Sequence, residues 1–118
     1  MKNCKTKFVR SRCPITNSLD LFGDKWTILV IRDLVLGKER YHEFLLSPEK
    51  IATNILSNRL KRLEVAGVIV RHVYQHSPTR YEYVLTRKGI GLKPILKSLA
   101  SWGLEFFPGS KIFPPISR

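Results

Sequence analysis

Apolar residues recur at helical spacing through most of this 118-residue chain and switch to alternation in one short stretch. The first helical run opens at Cys13-Pro14, with Pro14 at the first helical position, where its missing N–H costs nothing. Ile15, Leu19 and Phe22 supply its apolar face, and Gly23 breaks it. Asp24 then stands as an N-cap for a second helix reaching to about Leu36. Trp26, Leu29, Val30 and Leu34 line one side of that helix, and most of the remainder is also apolar. A helix apolar nearly all round belongs at the centre of a core. Gly37 ends it. A short helix over residues 41–46 follows, packing through Tyr41, Phe44 and Leu45. Ser47-Pro48-Glu49-Lys50 reads as a turn, because proline disfavours helix at the residue before it.

Residues 52–66 carry two faces of different chemistry. Leu56, Leu60 and Leu63 form an apolar stripe, while Thr53, Asn54, Ser57, Asn58 and Lys61 fall on the other side. Gly67 closes the helix as a C′ residue. Short hydrogen-bonding groups beside a cation can meet base edges and phosphates, or simply water. After Gly67 the period changes to two. Residues 68–74 are β-branched and aromatic and read as a strand, residues 75–79 as a turn, and residues 80–85 as the returning strand. Short helix, tight turn and amphipathic helix make a helix-turn-helix, and the hairpin after it makes a winged helix. The expected fold is mainly α with a small β-hairpin wing.

Thr86 caps the last helix, expected over residues 87–107. Leu92, Ile95, Leu99, Trp102 and Phe106 step by three and four like a coiled-coil seam. Pro94 should kink it. A small domain already supplied with a core has little use for so long a seam, so these five residues read as a dimer interface. The expected organisation is a basic arm (1–12), a winged-helix domain (13–107) and a Pro-rich tail (108–118), with Ile112 and Phe113 able to lie over a partner.

Charge changes the picture. The formal net charge is +12, with 21 Lys and Arg against 9 Asp and Glu. A basic field of this kind fits a nucleic acid better than a small acidic metabolite, with an anionic membrane surface as the other polyanion. No run is long or apolar enough to span a bilayer, and the basic N-terminus lacks an apolar signal core, so the expected location is cytoplasmic. Cys4 and Cys13 are too few for a disulfide scaffold. Cys13 precedes a helix start with Arg10, Arg12 and Lys25 nearby in sequence, a setting that favours thiolate. It reads as a redox or effector thiol or as a small packing residue. His72 and His76 lack further ligands, no Gly-rich phosphate loop or catalytic constellation is present, and neither cofactor, metal site nor enzyme activity is expected.

Several stretches, in order, resemble the HxlR-type winged-helix transcriptional regulators, relatives in architecture of the MarR group. They are Cys13-Pro14-Ile15, the run from Leu19 to Trp26 with its Gly-Asp-Lys-Trp, and Leu29-Val30-Ile31-Arg32-Asp33-Leu34. Arg40-Tyr41-His42-Glu43-Phe44 and the run from Leu56 to Gly67 follow. Pro78-Thr79-Arg80-Tyr81-Glu82-Tyr83 and Leu99-Ala100-Ser101-Trp102-Gly103 complete the match over residues 13–104. The resemblance implies a homodimeric regulator on a two-half-site operator in double-stranded DNA, read as a repressor, joined through its N- and C-terminal helices and answering an effector not identified. Carried over by position, Thr53, Asn54, Ser57 and Asn58 face the major groove, Arg59 and Lys61 contact phosphates, and Arg80 is the wing arginine. Some family members sense oxidants or electrophiles with a cysteine at the position of Cys13. Where the family often has Ser before Pro, this chain has Ala52-Thr53, so Thr53 stands as the alternative helix cap. Cross-strand pairing of Arg80 with a carboxylate, and a winged helix docking protein or RNA, are the competing readings.

Overall fold

A computed structural model describes residues 10–112. Most of the expected basic arm, with Cys4, and the end of the tail, with Phe113, lie outside the described residues. Helix α1 spans Pro14–Phe22 with Pro14 in its first turn and Gly23 as C-cap. Helix α2 spans Thr27–Val35. The N-cap position is Trp26 rather than the expected Asp24, but Asp24 closes the turn leading into the helix, its Oδ2 accepting from the backbone N–H groups of Trp26 (3.1 Å) and Thr27 (3.2 Å). At the far end Gly37 takes φ 106°. The Gly37 N–H donates to the Leu34 carbonyl and the Lys38 N–H to the Asp33 carbonyl, a Schellman closure.

Helix α3 is a single turn, Tyr41–Phe44, shorter than the expected 41–46. Helix α4 spans Thr53–Val65 and ends in a second Schellman closure. Gly67 at φ 77° donates to the Glu64 carbonyl, and Val68 N–H donates to the Leu63 carbonyl. Strands β1 (Ile69–His76) and β2 (Thr79–Leu85) pair antiparallel, with an irregularity between Val73 and Gln75. The turn is therefore only Ser77-Pro78, not the five residues expected. A bridge the pattern did not suggest joins Arg40 to Glu82, and Tyr83 N–H donates to the Glu39 carbonyl at 2.8 Å. The segment before α3 thus acts as a minimal third strand.

The expected long C-terminal helix is two helices, α5 (Arg87–Ile90) and α6 (Lys93–Phe106). Thr86 caps α5, its hydroxyl accepting from Gly89 N–H. The break falls at Gly91-Leu92, so Pro94 sits in the first turn of α6 and kinks nothing. A proline there loses no hydrogen bond and is preorganised for the helix.

The core lies where α2, α3, α4 and the base of the hairpin meet. Val30, Ile31, Phe44, Leu56, Leu60, Leu63, Val68 and Ile69 are all buried. One buried acid stands at its edge. Asp33 accepts from Arg32 at 2.8 Å and from the Ser47 hydroxyl, with Lys38 Nζ 3.6 Å away. Its charge is therefore compensated inside the fold, as a buried carboxylate requires. Helices α1 and α6 bury no residue fully within the chain.

Candidate nucleic-acid interface

Helix α4 has the two faces its sequence requires. Leu56, Leu60 and Leu63 are buried against α2 and the hairpin base, and Thr53, Asn54, Ser57, Asn58 and Lys61 are exposed. Its N-cap is Ala52, in extended conformation, and no side chain closes the first turn. Thr53 is the first helical residue, so its expected service as the cap is corrected. A threonine with helical φ/ψ cannot reach back to the N–H groups that a cap satisfies.

Three polar braces hold this helix. The Tyr41 hydroxyl donates to the Thr53 carbonyl at 2.9 Å and lies 3.0 Å from Ser57 Oγ, tying α3 to the exposed start of α4. The sequence pattern gives Tyr41 a packing role, and its hydroxyl makes it a positioning residue as well. Arg62 Nη2 donates to the Leu21 carbonyl of α1 at 3.0 Å. Arg59 Nε donates to Asp24 Oδ2 at 2.9 Å, and Arg59 Nη1 donates to Asn58 Oδ1 at 2.5 Å. The Arg59 side chain is only 18% exposed. Arg59 is therefore turned inward onto the α1–α2 elbow. Asp24 gathers all this. Burial would raise its pKa, but hydrogen bonds from Thr27, Arg59 and the Trp26 N–H hold it well below the usual carboxylate range.

The wing is anchored at its base and free at its tip. Arg71 pairs with Glu64 of α4 at 3.2 Å and stacks on Tyr81 at 4.3 Å. Arg40 pairs with Glu82 at 3.1 Å and stacks on Tyr74 at 3.9 Å. Arg80 faces Gln75 in the register and is exposed. Among the described residues it has no hydrogen-bond or ion-pair partner, so Glu82 serves Arg40 and not Arg80.

Cys13 is the N-cap of α1 and its thiol is exposed. Its pKa is lowered by hydrogen bonds from the Thr16 backbone, the Thr16 hydroxyl and the Ile15 backbone. The cause is the first turn of α1, not the neighbouring cations, since Arg10 is engaged by Asp20 at 2.7 Å. Of the expected seam, Ile95, Leu99, Trp102 and Phe106 are exposed, whereas Leu92 packs against the chain's own core. Trp102 lies against Phe106 and Phe107, so an aromatic cluster stands uncovered on α6. Among the described residues no three His, Cys, Asp or Glu side chains come together as a metal site, and no helix is long and apolar enough to cross a membrane.

A helix-turn-helix whose second helix exposes a polar face, followed by a hairpin with a free arginine near its tip, is a winged helix-turn-helix of the DNA-binding kind. The chain belongs to the HxlR-like helix-turn-helix family, whose model matches residues 21–111. It is 37% identical over 94 residues to the HTH-type transcriptional regulator YdeP of Bacillus subtilis, covering 80% of this chain and 73% of YdeP. It is 35% identical over 99 residues to YvaP, an HTH-type transcriptional regulator of the same organism, covering 83% of this chain and 92% of YvaP. Among solved structures, the redox regulator HypR in its reduced form superposes with a TM-score of 0.72 at 33% identity, covering 79% of this chain and 92% of HypR.

Proposed function

We propose that the chain acts as a homodimer on a two-fold operator in duplex DNA and represses transcription by occupying a promoter. The face of α4 carries this reading. Thr53, Asn54, Ser57 and Asn58 stand exposed on one side of a helix pinned by Tyr41, Arg59 and Arg62. A side chain reads a base edge only if its backbone is held in register, and these braces supply that. Lys61 and Arg80 are the proposed phosphate contacts, one on the helix and one on the wing. Arg59 is assigned the bracing role instead. The uncapped first turn of α4 adds outward N–H groups and the positive helix end, which favour an approaching phosphate.

Apolar surface that the single chain leaves uncovered supports the homodimer. Ile15 and Leu19 of α1 are 70% and 51% exposed, and Trp102 and Phe106 of α6 are 57% and 55% exposed. Apolar helix faces of this extent mark an association surface. A two-fold dimer would set two α4 helices in successive major grooves about 34 Å apart. Cys13 is the proposed signal site, because its exposed thiol is biased toward thiolate at the start of a helix that the dimer would cover.

Selection of bound duplexes from a random pool, with and without a thiol oxidant, tests the reading. The expected result is a palindromic motif whose enrichment falls on oxidation, with base preferences that change in Asn54→Ala and Asn58→Ala. A pool without a two-fold motif, or unchanged preferences in both variants and in the double variant, would refute it. Tighter binding to structured RNA than to any duplex would favour the RNA-docking alternative.

A further inference from the structure

Helix α6 presents two apolar faces. Ile95, Trp102 and Phe106 lie on the outer one. Leu96, Ala100 and Gly103 lie roughly 120° round the helix and look across to α2. Between that inner face, α2 and residues 110–112 lies a groove of about 570 Å³ with overwhelmingly apolar walls. Only Leu99 belongs to both the groove and the outer seam. The size is within the usual range of small-molecule sites, roughly 300–1,000 Å³.

Three of the residues around the groove are lysines. Lys93 and Lys97, one helical turn apart on α6, line it together with Lys111. Among the described residues none of the three has an ion-pair partner. Like charges four residues apart on a helix repel, so this arrangement is at its best when an anion lies between them. Arg32 also lines the groove, but Asp33 and Glu49 hold its guanidinium. Gly103, inside α6, keeps the groove open. A Cβ added there would meet nothing within 4 Å, so the packing does not require glycine, and glycine is a poor helix former.

We propose that this groove binds a small amphipathic carboxylic acid, its hydrocarbon body against Leu96, Ala100 and Leu104 and its carboxylate among Lys93, Lys97 and Lys111. An apolar pocket fixes the body, and the ammonium groups select an anion over a neutral molecule. The ligand would touch α2, on which α4 packs, and α6, whose outer face is the proposed dimer seam. Binding itself is independent of the DNA-binding reading; only its consequence for DNA rests on it.

Calorimetric titration of the full chain with octanoate, and with octanol as the neutral analogue, tests the proposal without DNA. Octanoate is expected to bind saturably, about tenfold tighter than octanol. Affinity should rise about fourfold per methylene from hexanoate to decanoate, until the groove is full. The double variant Lys93→Ala/Lys97→Ala should bind octanoate about fivefold more weakly. Gly103→Leu fills open space with a better helix former, so it should fold, keep its sedimentation coefficient and lose octanoate binding. The proposal falls if octanoate does not saturate, if octanol binds equally, or if Gly103→Leu still binds. It falls also if Gly103→Leu alters sedimentation, because a second copy of the chain would then be the occupant.

Discussion

Replacing Asp24 with alanine removes four hydrogen-bond acceptances from one side chain: Trp26 N–H, Thr27 N–H, the Thr27 hydroxyl at 2.6 Å and Arg59 Nε. The capping part is worth about 1 kcal/mol. The Thr27 hydroxyl is fully buried, and leaving it unpaired costs roughly 1–2 kcal/mol more. Arg59 keeps some access to water, so losing its partner adds about 1 kcal/mol. Asp24→Ala is therefore expected to cost about 3–4 kcal/mol, with the three parts overlapping in one network. Asp24→Asn keeps an acceptor for the cap and loses the charge, so it should cost about 1–1.5 kcal/mol. Urea unfolding followed by circular dichroism at fixed protein concentration measures both. The pH dependence has a definite sign. A carboxylate whose folded pKa is depressed contributes stability above its unfolded pKa, roughly 4, and loses it as pH falls toward the folded value. The gap between wild type and Asp24→Asn should thus be widest near neutrality and shrink below about pH 4. Equal costs for alanine and asparagine, or a gap that widens in acid, would refute the reasoning.

Other perturbations separate causes that a static view merges. Gly67→Ala forces an L-residue to φ 77° with nothing within 4 Å, so strain alone should cost about 1 kcal/mol. Gly89→Ala should cost more, because its Cβ would stand 2.3 Å from the Val68 carbonyl oxygen; urea midpoints rank the two. Thr16→Val removes a hydroxyl that favours the Cys13 thiolate, so in a Cys4→Ser background iodoacetamide labelling at pH 7 should slow. Leu99→Glu or Trp102→Asp should shift sedimentation of the full chain from dimer to monomer while leaving far-ultraviolet dichroism unchanged.

What was legible in the sequence was local chemistry. Gly37 and Gly67 announce helix ends because glycine, with no Cβ, takes the left-handed backbone of a Schellman closure at least cost. Asp24 and Thr86 announce helix starts because a short oxygen side chain can accept from the first-turn N–H groups. What was not legible depends on distance or on double duty. Leu92 fits the phase of the exposed seam and also packs on the core, so the periodicity ran through a break that Gly91 makes. Arg40 meets Glu82 across 42 positions and Arg59 meets Asp24 across 35, separations that no local pattern spans. Asp33 is buried in a largely apolar helix because its neighbour Arg32 and, from beyond the helix, Lys38 and Ser47 compensate it.

The same long-range pairs divide the positive charge into two populations. The acids Asp20, Asp24, Asp33, Glu49, Glu64 and Glu82 hold Arg10, Arg32, Arg40, Arg59, Arg62 and Arg71, while among the described lysines only Lys38 makes an ion pair. Guanidinium groups suit this work because their planar fork matches a carboxylate and several donors act at once. The outward field is left largely to lysines and, among the described arginines, to Arg12, Arg80 and Arg87. Two residues of α4 only two positions apart should therefore behave oppositely. Arg59→Ala frees Asp24 and Asn58 and is expected to lower stability by about 1–2 kcal/mol. Lys61→Ala should leave the melting temperature unchanged, weaken binding to every duplex sequence alike, and reduce the slope of log affinity against log salt by about 1. Fluorescence-anisotropy titrations of both variants at several salt concentrations, beside thermal melts, make the comparison. A full-strength salt slope in Lys61→Ala together with a reduced one in a stably folded Arg59→Ala would reverse the assignment, making Arg59 the phosphate contact and its pairing with Asp24 a resting position.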